Sequence, residues 1–251
     1  MTDAIRVENL TKVFRKAGAA PVEALRGLTF SVPPGHIFGL LGPNGAGKTT
    51  TLRILTTLIR ATSGRAEVGG IDVHQDPLGA RQRIVVVVQE SAAEIFLTVR
   101  DNLLTFGRFH GLKGPELKRR ADAVMEQFGL TQDAGRKAMD LSGGFRRRIQ
   151  VGKALMVNTP VVFLDEFSTG MDPILKRSVM ELLREQARQG RTIVLTTQIL
   201  QEAESLCDDI LIINRGREVA RGDVPTIKAL SATHNASLED VFVELMTGDT
   251  A

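Results

Sequence analysis

One cysteine, no long apolar run and very little net charge characterise this chain, and each shortage removes a class of protein. Cys207 is alone among 251 residues, so no internal disulfide can form. It follows the helical-looking run Leu200 to Leu206, and a packed thiol is the plain reading because free cysteine is commonly buried. The longest aliphatic stretch, Ile84-Val85-Val86-Val87-Val88, falls far below the ~18 residues of a membrane span, so the chain is not expected to cross a bilayer by itself. The N-terminus lacks the positive start, apolar core and small-residue cleavage site of a signal peptide, which predicts a cytosolic location. Lysine and arginine number 32 against 29 aspartates and glutamates, an excess of 3 that is too small to build a surface for nucleic acid. Arg146-Arg147-Arg148 does not change this, because three successive residues on a helix point in different directions, and a solvated face is expected there. His36, His74, His110 and His234 lack metal-ligand spacing, and no zinc site is expected.

What the chain does have is a 43% hydrophobic content, ample for a packed core, in a length that suits one large domain or two small ones. Loose alternation from Ile5 to Phe14 and from Ala24 to Val32, with Pro21 and Pro33-Pro34 as breakers, predicts half-buried strands of an antiparallel layer. His36 to Leu41 reads as a short apolar strand, and Thr49 to Leu58 has the spacing of a helix. Ile84 to Val88, Val161 to Leu164 and Ile193 to Leu195 are short and rich in β-branched residues, as buried parallel strands are. Between the first two of these, Val99, Leu103, Phe106 and Phe109, then Leu117, Ala121, Val124, Met125 and Phe128, recur with helical period, which predicts a helical insertion of about 65 residues into an α/β core. Asp209 to Ile213 and Glu218 to Ala220 read as a strand pair around the turn Asn214-Arg215-Gly216, and Ser237 caps a terminal helix through Leu238, Val241, Phe242 and Leu245.

Three short segments carry chemistry. Gly42-Pro43-Asn44-Gly45-Ala46-Gly47-Lys48-Thr49 has the spacing of a phosphate-binding loop, and it lies between a predicted strand and a predicted helix as that loop requires. Its backbone N–H groups can surround phosphate oxygens, with Lys48 reaching the β- and γ-phosphates and the Thr49 hydroxyl serving Mg²⁺. Asp165 and Glu166 follow the buried strand Val161 to Leu164, at the strand end where open α/β sheets bind ligands. Asp165 sits where an acid would hold Mg²⁺, and Glu166 can reach past it to polarise a water. Leu141-Ser142-Gly143-Gly144 opens a helical run and offers free N–H groups at its positive end, although alone it is better read as a plain helix cap.

With these motifs in this order, the chain resembles the nucleotide-binding subunit of an ATP-binding cassette (ABC) transporter over nearly its whole length. The resemblance implies an α/β fold: a P-loop NTPase (RecA-like) core with an N-terminal antiparallel β layer and an inserted helical subdomain. It implies one ABC ATPase domain over 1–251, with the nucleotide-binding core in 1–91 and 158–220, the helical subdomain in 92–157 and a C-terminal tail in 221–251. It makes Gly42 to Thr49, with Thr50 behind them, the Walker A loop, and it places Phe14 where the family stacks an aromatic on adenine. Gln89 matches the glutamine that touches Mg²⁺ and senses the membrane partner; Ser142, Gly143 and Gly144 match the signature, and Asp172 ends the D-loop Ser168-Thr169-Gly170-Met171-Asp172. Thr49, Gln89 and Asp165 are then the metal residues, and Glu166, Lys48 and Gln198 the catalytic ones. The family pairs two cassettes head to tail, which implies a homodimer sharing two Mg-ATP molecules, a separate multi-span permease, and a peripheral location on the cytoplasmic face of the membrane.

The chain departs from the family pattern at two places. Gln198 stands where most members have histidine, and Phe145 follows Ser142-Gly143-Gly144 where glutamine is usual. Glutamine donates and accepts hydrogen bonds but cannot carry a proton, so a cassette that binds ATP and hydrolyses it weakly stays open beside an active ATPase. Exporter ATPases of the daunorubicin type share Thr-Thr-Gln in this region, an apolar residue after Ser-Gly-Gly, and a tail like Ser237-Leu238-Glu239-Asp240-Val241-Phe242, which implies export of drugs, antibiotics or other hydrophobic compounds. One alternative is a non-transport switch on a soluble or ribosomal partner, but such proteins usually carry two cassettes or a long coiled-coil insertion, and neither is visible here; an importer ATPase, often with an added regulatory domain, is another.

Overall fold

The computed structural model describes residues 2–87, 93–231, 233 and 235–248. Two compact units emerge, one of Met1–Ile84, Pro160–Phe163 and Leu183–Ala251, the other of Val85–Thr159 and Leu164–Leu182.

The first unit holds a four-stranded antiparallel sheet of β1 (Ile5–Phe14), β2 (Val22–Val32), β4 (Ser63–Val68) and β5 (Ile71–Asp72), in the order β2-β1-β4-β5. The expected strands are present, but β4 and β5 escape the hydrophobic pattern. In β4 only Ala66 and Val68 are buried, so pairing with β1 rather than its own apolar content makes it a strand. A second sheet has the order β10-β9-β3-β8-β7-β6, built from β3 (Ile37–Leu41), β6 (Ile84–Val87), β7 (Val161–Asp165), β8 (Thr192–Thr196), β9 (Asp209–Asn214) and β10 (Arg217–Gly222). Its last two strands leave the unit partway along, after Ile84 and Phe163. All five residues of β3 and of β8 are buried, as expected of strands covered on both faces. β3 pairs in parallel with β8 on one side and β9 on the other, and β9 turns back antiparallel into β10.

Helix α1 (Lys48–Leu55) follows β3 and is shorter than its apolar spacing suggests, because Thr57 adopts φ 64 and leaves Leu58 64% exposed. Short α2 (Pro77–Gln82) is capped by Asp76, whose Oδ1 accepts from the Gly79 amide at 2.8 Å. Toward the C-terminus, α7 (Leu200–Leu206), α8 (Val224–Lys228) and α9 (Leu238–Gly248) close over β9 and β10, where Ile210, Ile212, Ile227, Leu238 and Val241 form one apolar cluster. The second unit is mainly helical: α3 (Val99–Phe109), α4 (Gly114–Gln127) and α5 (Gly143–Met156) pack on one another, and α6 (Pro173–Arg188) starts in it. No described helix is long and apolar enough to cross a membrane.

Cys207 closes α7 against the middle of β3, as the packed-thiol reading expects. A Cβ built at Gly39 would stand 2.8 Å from its Sγ and 3.5 Å from Ile210 Cγ1. Desolvation, reinforced by Asp208 and Asp209, pushes the thiol pKa up, so it stays protonated. Gly39→Val therefore overfills this contact and is expected to destabilise the chain by ~1–3 kcal/mol. A lower urea midpoint at unchanged slope would register it. Adding Cys207→Ala should recover part of the loss, and no recovery would place the clash elsewhere.

Candidate functional site

Sheet register brings the first group of site residues together. β3 ends at Leu41, opposite Ile212 of β9, and Leu40 lies opposite Thr196, the last residue of β8. The segments that leave β3 and β8 therefore emerge side by side, Gly42 to Asn44 next to Thr197 and Gln198. This is the strand-end crevice at which parallel sheets bind ligands.

The glycine loop between β3 and α1 is compressed against its surroundings. Gly42 has φ 152, and a Cβ there would lie 2.2 Å from the Ile213 carbonyl oxygen; Gly47 has φ 114, and its Cβ would lie 2.8 Å from the Ala24 oxygen. Side chains are excluded at both positions, and the backbone itself forms the wall of the loop. Lys48 is only 8% exposed, and its Nζ donates to the Gly42 oxygen at 2.6 Å and the Pro43 oxygen at 3.0 Å. The ammonium is thus folded back over the loop at the start of α1, where the helix dipole adds positive potential. Thr49 is exposed and Thr50 half-buried behind it. A cation over a glycine-rich turn at a helix start suits a polyphosphate.

Beside the loop, Thr197 Oγ1 donates to Glu202 Oε2 at 3.1 Å and accepts from the Ile199 amide at 3.0 Å, which fixes the turn into α7. Gln198 is exposed, and its Nε2 donates to Asn44 Oδ1 at 3.4 Å. Gly42, Pro43, Asn44, Thr197, Gln198, Leu200 and Phe242 line a pocket of about 170 Å³, so α9 reaches the site through Phe242, a role its sequence did not announce. Phe14, at the end of β1, is 43% exposed, with Lys12 Nζ 5.0 Å from its ring centroid.

The second group lies in the other unit. Ser142 caps α5, its Oγ accepting from the Phe145 amide at 3.4 Å. Gly144 packs so closely on the loop after β7 that a Cβ would stand 2.8 Å from the Gly170 oxygen. Arg148 stacks 4.7 Å from the Phe145 ring centroid and pairs with Asp172 Oδ2 at 3.0 Å. The Leu175 amide, and after it Arg148, hold the Asp172 carboxyl below its usual range. Asp165 ends β7 half-buried, and Glu166 follows it in a left-handed conformation, φ 47. Gln89 lies outside the described residues.

The expectation of a solvated face at Arg146 to Arg148 fails at Arg147, which is 5% exposed. Its Nε donates to the Phe167 oxygen at 2.8 Å, its Nη2 to the Asp165 oxygen at 2.7 Å and to the Glu166 oxygen, and its Nη1 to Gln150 Oε1 at 2.7 Å. Burial pushes this guanidinium pKa down, and the Asp165 and Glu166 charges oppose the shift. Spacing does not separate Arg147 from half-buried Arg146, whose i+3, i+4 and i+7 neighbours Ile149, Gln150 and Lys153 are buried as well.

The family model described as ABC transporter matches residues 25–169. The chain is 38% identical over 98% of its length to the doxorubicin resistance ATP-binding protein DrrA of Mycobacterium tuberculosis, spanning 71% of that protein. It is 39% identical over 91% of its length to the daunorubicin/doxorubicin resistance ATP-binding protein DrrA of Streptomyces peucetius, spanning 68% of it. Among solved structures, an ATP-binding subunit of an ABC transporter superposes with TM-score 0.88 at 27% identity, covering 97% of this chain and 99% of that one. A dimeric, post-hydrolysis ATP-binding cassette bound to ADP and Pi superposes with TM-score 0.80 at 25% identity, covering 87% and 98%. By the match of the family model over more than half of its length and by these relatives, the chain belongs to the ABC transporter family.

Proposed function

We propose that this chain is the ATP-hydrolysing motor subunit of a membrane exporter, with drugs, antibiotics or similar hydrophobic compounds as cargo. The observation that carries the ATPase reading is Lys48, whose ammonium is held over the glycine loop at the start of α1. The resistance proteins it is similar to support the cargo class.

In this reading the loop from Gly42 to Thr49 grips the phosphates, with Thr50 behind it, while Lys48 supplies charge at the β- and γ-positions. Phe14 offers its exposed ring to the base. Thr49, Asp165 and Gln89 would hold Mg²⁺; hydroxyl, carboxylate and amide oxygens suit this hard cation, which screens the phosphate charge when bound. Glu166 polarises the attacking water, and Gln198 donates to a γ-phosphate oxygen without exchanging a proton. Ser142, Gly143 and Gly144 present α5's positive end to the phosphates of a second copy, so two chains pair around two shared nucleotides, with Asp172 at the join. The pair, peripheral on the cytoplasmic face of the membrane, closes when ATP adds its contacts and opens after hydrolysis, and a separate multi-span permease follows that motion.

Glu166→Gln is expected to lower turnover by ~10²- to 10⁴-fold while nucleotide binding persists. Near-normal turnover in that variant would remove Glu166 from the reaction. The second expectation concerns pH. With glutamine at position 198 the ATPase rate should lack a titration from this position, and Gln198→His should add one near the usual histidine pKa of about 6.5. Superimposable pH profiles would contradict a γ-phosphate contact at this position.

A further inference from the structure

We infer that Arg147 is the positioning residue for Glu166: its guanidinium fixes the left-handed turn from which that carboxylate projects. The inference rests on the reading of Glu166 as the water-polarising group.

Asp165, Glu166 and Phe167 are consecutive, and in an extended strand the carbonyls of neighbouring residues point to opposite sides. Here all three accept from one guanidinium, which requires the chain to bend between them, and Glu166 supplies the bend at φ 47. A residue with a side chain resists this conformation and keeps it only where its surroundings dictate it. The surroundings here are a planar fork that cannot pivot without breaking several hydrogen bonds, and whose remaining Nη1 contact to Gln150 Oε1 ties it to its own helix. Arg147 is buried, so water competes poorly for these carbonyls. The oxygens it takes from the turn after β7 are main-chain ones, so it acts on the backbone that carries the Glu166 side chain. A lysine ammonium, a point donor, cannot reproduce this span.

Position adds a consequence. Arg147 lies one helical turn beyond Gly143 on α5, the helix that begins with the signature residues. A displacement of the start of α5 is therefore felt at the main chain of Glu166, and the helix that meets one nucleotide also sets the carboxylate that acts on another.

The test uses the full chain, with ATP turnover measured at saturating Mg-ATP for Arg147→Met, Arg147→Lys, Glu166→Gln and the double variant Arg147→Met/Glu166→Gln. Arg147→Met is expected to lower kcat by ~10- to 100-fold, because a displaced catalytic group costs that much, with KM for ATP changed by less than about threefold. Arg147→Lys, which keeps the charge and serves if the methionine variant does not fold, is expected to lower kcat by at least about fivefold. On the Glu166→Gln background Arg147→Met should cost less than about twofold, since both changes act through one carboxylate. If Arg147→Met or Arg147→Lys turns over at the wild-type rate while Glu166→Gln is slow, the positioning role is wrong and the Glu166 reading stands. An equal loss on both backgrounds would also overturn it, because Arg147 would then act elsewhere. A near-normal Glu166→Gln rate would instead strike the reading beneath it.

Discussion

A backbone pressed too tightly for a side chain is the constraint on which the first unit turns. At Gly42 the main chain passes the Ile213 carbonyl so closely that a Cβ would overlap it, and this contact exists because β3 and β9 pair in parallel register up to Leu41 and Ile212. The loop is also held from its far side: the Gly216 amide donates to the Ala46 oxygen at 2.9 Å, and the Arg26 amide donates to the Gly216 oxygen at 2.9 Å. The β9–β10 turn and the antiparallel layer thus brace the glycine loop. Lys48 folds back over it, its Nζ donating to the Gly42 and Pro43 oxygens. The geometry of the glycine loop is in this sense a product of sheet register, not of the loop alone.

The second unit solves a different problem, which is to hold an acidic turn at a strand end in a conformation it would not choose. Arg147 and Arg148, adjacent on α5, face different partners: the first gathers the carbonyls after β7, the second pairs with Asp172 and stacks on Phe145. Phe145, the departure from the usual signature, therefore has a structural role as the apolar face on which Arg148 rests. The departure at Gln198 is accommodated as well, since its amide reaches Asn44 of the glycine loop.

Much of this was legible in the sequence where local pattern and tertiary outcome coincide. The short β-branched runs became buried strands, and the glycine loop fell between a strand and a helix as its spacing requires. The pattern failed where a neighbour decides. β4 has too few apolar residues to announce itself and exists because β1 pairs with it; α1 stops before Leu58 because the chain turns left-handed at Thr57. Arg147 departs from the solvated face that its residue type suggests because acceptors on Asp165, Glu166, Phe167 and Gln150, brought together by tertiary folding, satisfy its guanidinium. The pocket contribution of Phe242 had no sequence signal, since it depends on how α9 lies over α7.

Two glycine elements serving the same phosphates from two copies is the claim on which the functional account stands, and complementation between two damaged chains tests it directly. A Lys48→Ala chain lacks the loop cation, and a Ser142→Arg chain blocks the second element; each alone should be nearly inactive. Mixed in equal amounts, they can form a pair in which one composite site is intact, so ATP turnover well above that of either chain alone is predicted. A mixture no faster than the average of the two would contradict the shared site.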